Sequence, residues 1–429
     1  MIKLYNKVRF NLFIIYIWAV LFRLLLVYLF SWNRGLHFES AQIAKYVFNG
    51  YGYWWDWYKM IPPQPTAILT PLYTYFLALF MYLFDEPAKY IYIAQALLNA
   101  LIIVLGYLLG KILGGAKNGL ILALLVAVYP EIAFMPARMV AETVTIVLVF
   151  YSIYLYLKYK TLLLTEGKVV GFVTLGVILG ITTLAKENTA FVFLACFAGL
   201  LFINTKKTSW LKAAFILGLS FTVTLSPWLI RNYMVFHKPV FRTMYGYNLW
   251  RGNHPGASGT ARINPESISE SSLDPEYQKF IDENHPKTEL AIDKFYQDEA
   301  MKFIREDPMR YVWLTGKRII YFLVIDPTHP LTRNALYIGG YLFVVIFGIW
   351  GGIISKKRKQ LERIYILAPA ISMIFYVPVI VLPRYRLILI WILLILSSVA
   401  LTNITARIKF LDRIISNLSG TDNAAQKAF

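Results

Sequence analysis

Six charged residues stand where their charge needs a reason. Glu39 lies in the stretch 35–71, GLHFESAQIAKYVFNGYGYWWDWYKMIPPQPTAILTP, which sits between strongly apolar runs. Glu142 follows the turn 130–141 and opens another apolar run. Lys186, Arg231, Arg384 and Arg386 occupy three further turns, the last within Pro383-Arg384-Tyr385-Arg386. A carboxylate within hydrogen-bond reach of a hydroxyl can take its proton. The planar fork of arginine donates two parallel hydrogen bonds and suits phosphate. A plain reading stands beside the chemical one. Acids near a helix N-terminus are favoured by the helix dipole, and Lys186 could simply pair with its neighbour Glu187. Glu131 competes with Glu142 but precedes the turn. His37 near Glu39 falls short of a metal ligand set, so no metal site is predicted. No cofactor is expected, and a divalent cation is not predicted.

The elements that must position these residues are membrane helices. Of 429 residues, 58% are hydrophobic and only 16% charged, beyond the range of soluble domains. A crossing helix needs about 20 apolar residues. Ten segments qualify: 12–31, 88–110, 118–136, 141–158, 169–185, 188–204, 212–230, 336–354, 364–382 and 386–406. The expected fold is therefore an all-α polytopic membrane protein with about ten spans. The first span is too long for a signal-peptide core and has no small-residue cleavage site, so it reads as an uncleaved helix. The single cysteine, Cys196, lies in an apolar span and reads as core filler.

Topology follows from charge. The net charge is +19. With the N-terminus in the cytoplasm, the inner loops hold Lys111 and Lys117; Lys158, Lys160 and Lys168; Lys206, Lys207 and Lys212; and Lys356, Lys357, Arg358, Lys359 and Arg363. The tail adds Arg407, Lys409 and Arg413. Every basic cluster then obeys the positive-inside rule. Two shorter apolar segments, 67–84 and 311–326, would invert three of those loops if they crossed. They read as interfacial or re-entrant helices on the outer face. The whole chain 1–429 is expected to form one transmembrane domain with two large outer loops, 32–87 and 231–335. The stretch 252–286 reads as a mobile lid. Ile292, Phe295, Tyr296, Ala300, Phe303 and Ile304 predict an amphipathic helix on the membrane surface. Lys186, Arg231, Arg384 and Arg386 then fall outside, against the topogenic bias, and point to an anionic ligand there. Arg23, inside the first span, must face the bundle interior; a structural role and a site role both remain open for it. Trp54, Trp55, Trp57 and Tyr58 fit an interfacial aromatic belt better than a sugar platform. No internal repeat is present, and Arg23 is the one clear mid-span charge. Both features count against a flippase or transporter of lipid-linked saccharide.

Several motifs occur in order along the chain. They are Phe38-Glu39-Ser40-Ala41-Gln42-Ile43-Ala44, Asn49-Gly50-Tyr51-Gly52-Tyr53, Thr66-Ala67-Ile68-Leu69-Thr70-Pro71-Leu72-Tyr73, Pro227-Trp228 with Arg231-Asn232-Tyr233 and Gly246-Tyr247-Asn248-Leu249-Trp250-Arg251-Gly252-Asn253, and Arg384-Tyr385-Arg386. In these the chain resembles bacterial glycosyltransferases of the C superfold, specifically the group related to protein O-mannosyltransferase and aminoarabinose transferase (glycosyltransferase family 39-like). The resemblance implies an enzyme of the cytoplasmic membrane, with both termini in the cytoplasm. Such enzymes move one sugar from a polyprenyl-phosphate carrier to an acceptor on the outer face, with inversion. It implies Glu39 as general base, with Glu142 a second catalytic candidate. Arg231, Arg384, Arg386 and Lys186 would bind the donor phosphate, and Tyr385, Asn248 and Tyr73 the substrate. Its expected partners are the lipid-linked donor, an acceptor lipid, glycan or protein, and the bilayer, with no nucleic acid. The chain departs from relatives that carry two adjacent acids in the first loop, since Phe38 and Ser40 flank Glu39. Lys186-Glu187 stands where relatives often have Arg with Pro. A polymerase or ligase using a diphosphate-linked donor is the alternative of similar architecture.

Overall fold

The computed structural model describes residues 2–36, 38–56, 62–200, 206–260, 288–327, 329–355 and 362–420. His37, Trp57, Tyr58, Lys356, Lys357, Arg358, Lys359 and residues 261–286 of the expected lid lie outside the described residues. The described chain is almost wholly helical. Its one sheet is the two-stranded hairpin of β1 (Trp54–Trp55) and β2 (Gln64–Pro65), antiparallel, with Trp54 opposite Pro65.

The helices run in order. α1 is Ile2–Phe30, α2 Glu39–Phe48, α3 Pro71–Leu83, α4 Pro87–Ala100, α5 Ile102–Val128, α6 Pro130–Phe134 and α7 Glu142–Glu166. α8 is Gly171–Ala185, α9 Ala190–Leu200, α10 Lys207–Phe236, α11 Tyr245–Asn253, α12 Glu289–Glu306 and α13 Pro308–Leu323. α14 is Ala335–Ser355, α15 Glu362–Tyr376, α16 Leu387–Arg407 and α17 Lys409–Ser419. Six helical stretches are long and apolar enough to cross a membrane: Val8–Phe30, Pro87–Val128, Glu142–Glu166, Thr208–Phe236, Ala335–Ser355 and Pro383–Arg407. The protein is an all-α polytopic membrane protein.

Pro87–Val128 contains two of the expected spans. Gly114 and Gly115 leave helical geometry, Gly115 at φ 82°, a left-handed conformation that a side chain would oppose. The chain doubles back there. A Cβ on Gly110 would lie 2.7 Å from the Gly119 Cα, and one on Gly119 would lie 2.6 Å from the Tyr107 carbonyl oxygen. Asn118 Nδ2 donates to the Gly110 carbonyl at 2.8 Å and clasps the turn. Other spans differ from expectation. The segment 118–136 ends at Val128, because Pro130 starts α6. The expected span 169–185 gives the 15-residue helix α8, and the described part of 188–204 holds the turn Glu187–Thr189 and helix α9. The expected span 364–382 stops at Tyr376, since Pro378 disfavours helix in the residue before it. The segments 67–84 and 311–326 give the short helices α3 and α13.

Helices in lipid gain little from apolar burial against one another, so close packing of small residues must hold them. That pattern is present. Gly176 and Gly180 of α8 face Ser220 and Thr224 of α10, and a Cβ on either glycine would collide. Gly348 and Gly351 of α14 admit Leu393 and Leu396 of α16 in the same way. The apolar stripe of α1, with Phe10, Phe13, Ile17, Leu21, Leu25 and Tyr28, faces outward. Arg23 faces inward and is fully buried. Its Nε donates to Asn99 Oδ1 at 2.7 Å, and its terminal nitrogens donate to the carbonyls of Ala19, Val126 and Ala127. Val126 and Ala127 end α5, where carbonyls lack helical partners. Arg23 is thus a structural clamp between α1, α4 and α5.

Candidate active site

Four short segments meet at one end of the bundle: the first turn of α2, the first turn of α7, the turn Glu187–Thr189 and the turn Pro383–Arg386. Each is a helix start or a 3-10 turn. Glu39 is the first residue of α2 and is half-buried. Ala41, Ile43 and Ala44 bury the inner face of that helix, while Phe38 stays exposed. Trp55 Nε1 donates to Gln42 Oε1 at 2.8 Å, so the β1–β2 hairpin braces α2. Trp55 is 1% exposed and serves as core, not as interfacial belt.

The acids and bases around this centre are paired, but not as chain adjacency suggested. Lys186 pairs with Glu142, and both side chains are mostly buried. Glu187 pairs with Arg242 instead. The 3-10 turn after Lys186 sends the two neighbours to different partners. Arg242 Nε also donates to the Ile68 carbonyl at 2.6 Å, which links the pair to the segment between β2 and α3. Burial alone would lower the Arg242 pKa, but Glu187 outweighs it and raises it.

Arg384 differs from these. Its side chain is exposed, and among the described residues it makes no hydrogen bond or ion pair. The Tyr385 ring lies 5.9 Å from its guanidinium. Glu142, Glu39 and Glu187 all act on it electrostatically. Glu142 and Glu187 already hold a cation each. Arg384 is therefore a guanidinium kept among carboxylates with its donors uncommitted.

The other expected phosphate ligands are placed differently. Arg386 is 1% exposed. Its Nη1 donates to the Val324 carbonyl at 2.7 Å and its Nη2 to Tyr337 Oη, over the Tyr341 ring at 4.1 Å. A 3-10 turn has about three residues per revolution, so residues two apart point in different directions. Arg384 faces the acids while Arg386 faces the core, where it also acts on Glu131. Arg231 donates to the carbonyls of Thr66 at 2.7 Å and Tyr53 at 2.9 Å, and to Asn232 Oδ1. It bolts the end of α10 to the segments on either side of the β1–β2 hairpin. Tyr385 is buried and stacked on Tyr376, with ring centroids 4.1 Å apart. Tyr73 is buried, donates to Gln95 Oε1 at 2.7 Å, and lies within electrostatic reach of Glu142. Asn248 is half-buried on α11, and none of the described contacts joins it to the carboxylates. The structure brings together Glu39, Glu142, Lys186, Arg384 and Tyr385. It leaves Arg231, Arg386 and Asn248 apart from them.

Sequence reasoning missed Arg242, although the topogenic argument that singled out Arg231 applies to it equally. It also missed the residues that fasten the described parts of the loop 231–335. Glu289 is 2% exposed. Its carboxylate accepts from the hydroxyls of Thr66 and Thr243, and from the Ala67 N–H at 3.1 Å. Burial pushes its carboxyl above the ordinary range, against those three hydrogen bonds. Asp293 accepts from the Tyr247 N–H at 3.0 Å and caps the start of α11. Arg318, fully buried, donates to the carbonyls of Gly252, Gly259, Val377 and Pro378 and to Asn253 Oδ1. Arg310 donates to the carbonyls of Asn253, His254, Pro255 and Ala257. Residues 252–260 of the expected lid are thus fastened down. The apolar stripe of α12 is present, but Ile292, Tyr296 and Ala300 are buried and Tyr296 packs on Tyr247 of α11.

Residues 65–230 match the model of the dolichyl-phosphate-mannose-protein mannosyltransferase family. Among curated proteins none matches the sequence. Among solved structures, the chain is similar to the archaeal oligosaccharyltransferase AglB from Archaeoglobus fulgidus in complex with an inhibitory peptide and a dolichol-phosphate. Identity is 16% and the TM-score 0.54, over 96% of this chain and 52% of that one. The apo form of the Archaeoglobus fulgidus oligosaccharyltransferase gives 15% identity and a TM-score of 0.55, over 96% and 52%. The chain spans about half the length of these structures. Its fold is that of the glycosyltransferases of the C superfold.

Proposed function

We propose that the protein transfers a single sugar from a polyprenyl-phosphate carrier to an acceptor lipid, glycan or protein at the outer face of the cytoplasmic membrane. The observation that carries this reading is Arg384, an uncommitted guanidinium beside Glu39 and two neutralised carboxylates. In the transfer, an acceptor oxygen attacks the anomeric carbon. Glu39 takes the proton of that oxygen. The bond from the anomeric carbon to the phosphate oxygen breaks with inversion, and its electron pair stays on the carrier phosphate. Arg384 neutralises that developing charge through paired hydrogen bonds. Lys186 holds Glu142 in place at the same centre, and Glu187 does the same for Arg242. Glu142 is thereby a positioning residue, and Arg231 and Arg386 hold the scaffold. The match to a mannosyltransferase family and the fold shared with an enzyme solved with dolichol-phosphate support the lipid-linked donor.

The test is a carrier-release assay on the purified full chain in detergent. The probe is polyprenyl-phosphate carrying radiolabelled mannose, with membrane extract as the acceptor source. Sugar-dependent release of polyprenyl monophosphate is expected. Release of a diphosphate from a diphosphate-linked donor alone would indicate a polymerase or ligase. Release of neither in detergent, with movement of the intact donor across the bilayer when the same chain is reconstituted in vesicles, would indicate a flippase.

A further inference from the structure

The far end of the molecule holds a recess remote from the site above, mostly apolar but with one cation in its wall. α16 begins beside Arg386 and ends at Arg407, so about 30 Å of helix separates the two, at about 1.5 Å per residue. At the Arg407 end, between α14 and α16, lies a cavity of about 520 Å³ lined by Trp350, Ile354, Asn403, Ile404, Arg407 and Ile408. That volume is within the range of small-molecule sites, roughly 300–1,000 Å³. Among the described residues, the lining is one cation, one amide, one indole and three isoleucines. Among the described residues, neither the Arg407 nor the Asn403 side chain makes a hydrogen bond or ion pair.

A separate element marks the level of this cavity in the bilayer. Ile408 breaks the helix, and α17 then runs across the end of the bundle. Lys117 near the α5 turn pairs with Asp412, and Asn11 of α1 donates to the Leu418 carbonyl at 2.8 Å. Phe410, Ile414 and Leu418 recur every fourth residue and are exposed, so they form one apolar stripe. Lys409 and Arg413 are exposed beside them. A helix with an apolar stripe flanked by cations lies in the plane of the lipid headgroups. Ile408 belongs both to the cavity and to the start of this helix, so the cavity opens at headgroup depth.

We infer that this cavity binds the headgroup of an anionic phospholipid. Arg407 takes the phosphate through its fork, and Asn403 hydrogen-bonds the phosphate or the glycerol beside it. Trp350 sits at the interface as indoles do. Ile354, Ile404 and Ile408 receive the first methylenes of the acyl chains. Basic recesses between membrane helices are suited to such lipids, and the net charge of +19 favours them further.

The full chain, purified in detergent, is titrated with phosphatidylglycerol, phosphatidylethanolamine or inorganic phosphate, and bound lipid is counted by native mass spectrometry. At least tenfold preference for phosphatidylglycerol over phosphatidylethanolamine is expected. Arg407→Glu should lower that binding at least tenfold, and Arg407→Gln by less. Equal binding of the two lipids would mean an apolar annulus only. Displacement of the lipid by inorganic phosphate would mean a free-anion pocket. Unchanged affinity in Arg407→Glu would exclude Arg407 from the site. Each of these three results overturns the proposal. A second measurement does not depend on how the charge variants fold. Brominated phosphatidylglycerol should quench the fluorescence of the natural chain more than that of Trp350→Phe, and equal quenching also overturns the proposal.

Discussion

Replacing Glu39 with glutamine keeps the shape of the side chain and removes its ability to accept a proton. A general base contributes roughly 10²- to 10⁴-fold to rate, so Glu39→Gln should lose transfer by about that factor. Donor binding and thermal stability should stay close to those of the natural chain. Transfer at the natural rate would remove Glu39 from the mechanism. The two arginines of the Pro383–Arg386 turn should separate by assay. Arg384 is exposed and uncommitted, whereas Arg386 holds a carbonyl and a tyrosine in the core. A hydrogen bond to a charged group contributes about 1.5–3 kcal/mol, so Arg384→Ala should weaken donor binding roughly tenfold to a hundredfold at near-normal stability. Arg386→Ala should instead lower the melting temperature, with smaller loss of donor affinity per folded molecule. The reverse order would reassign the phosphate to Arg386. Sequence could flag both, because both oppose the positive-inside bias. It could not separate them, because side-chain direction in a 3-10 turn depends on what packs around it. The pairing of Glu142 with Lys186, 44 residues apart, is likewise a fact of folding, not of spacing.

Among elements, the described parts of the loops 32–87 and 231–335 are tied into one unit. Arg231 and Glu289 both grip the irregular segment that follows β2, one through the Thr66 carbonyl and the other through the Thr66 hydroxyl and the Ala67 N–H. The Thr243 N–H donates to the Ala67 carbonyl at 3.1 Å and completes the clasp. Periodicity in the sequence located α12 and the short helices α3 and α13. It had no means of placing the apolar stripe of α12 against α11, since protein and lipid present similar surfaces to such a stripe. It also read 252–260 as part of a lid, because glycine, proline and serine mark loops without telling a fastened loop from a free one. The clasp has a pH signature. Burial raises the Glu289 pKa above its ordinary 4.5, so the folded state holds this proton more tightly than the unfolded one. The resulting stabilisation is present in full below pH 4.5 and is lost as pH rises through the raised value. Glu289→Gln cannot ionise. The stability of the natural chain relative to Glu289→Gln, measured by thermal unfolding in detergent, should therefore fall as pH rises from 4 toward neutrality. Parallel curves for the two proteins would show that this carboxyl does not titrate in that window.

At the scale of the whole molecule, the charge pattern and the fold make one joint statement about orientation. The α5 turn with Lys117, the start of α1 near Asn11, and α17 lie together at one end, tied by Lys117–Asp412 and Asn11–Leu418. Glu39, Glu142 and Arg384 lie at the other. On the function proposed above, the positive-inside rule would place the first end in the cytoplasm, and a lipid-linked donor at the outer face would need the second end outside. Single-cysteine labelling can test this without first removing a native thiol from the surface. Cys196 is fully buried, and a buried thiol is inert to polar reagents. Asn49, which follows α2, and Lys409, which opens α17, are both exposed and belong to opposite ends. In intact bacteria, a membrane-impermeant maleimide should label Asn49→Cys and leave Lys409→Cys untouched until the cells are opened. The natural chain should stay unlabelled in both conditions. If Lys409→Cys reacts in intact cells and Asn49→Cys does not, the molecule is inverted. The acids and Arg384 would then face the cytoplasm, and transfer at the outer face would have to be abandoned. Labelling of both positions in intact cells would mean that the two ends share a side, which requires an odd number of crossings between residues 49 and 409 to be replaced by an even one.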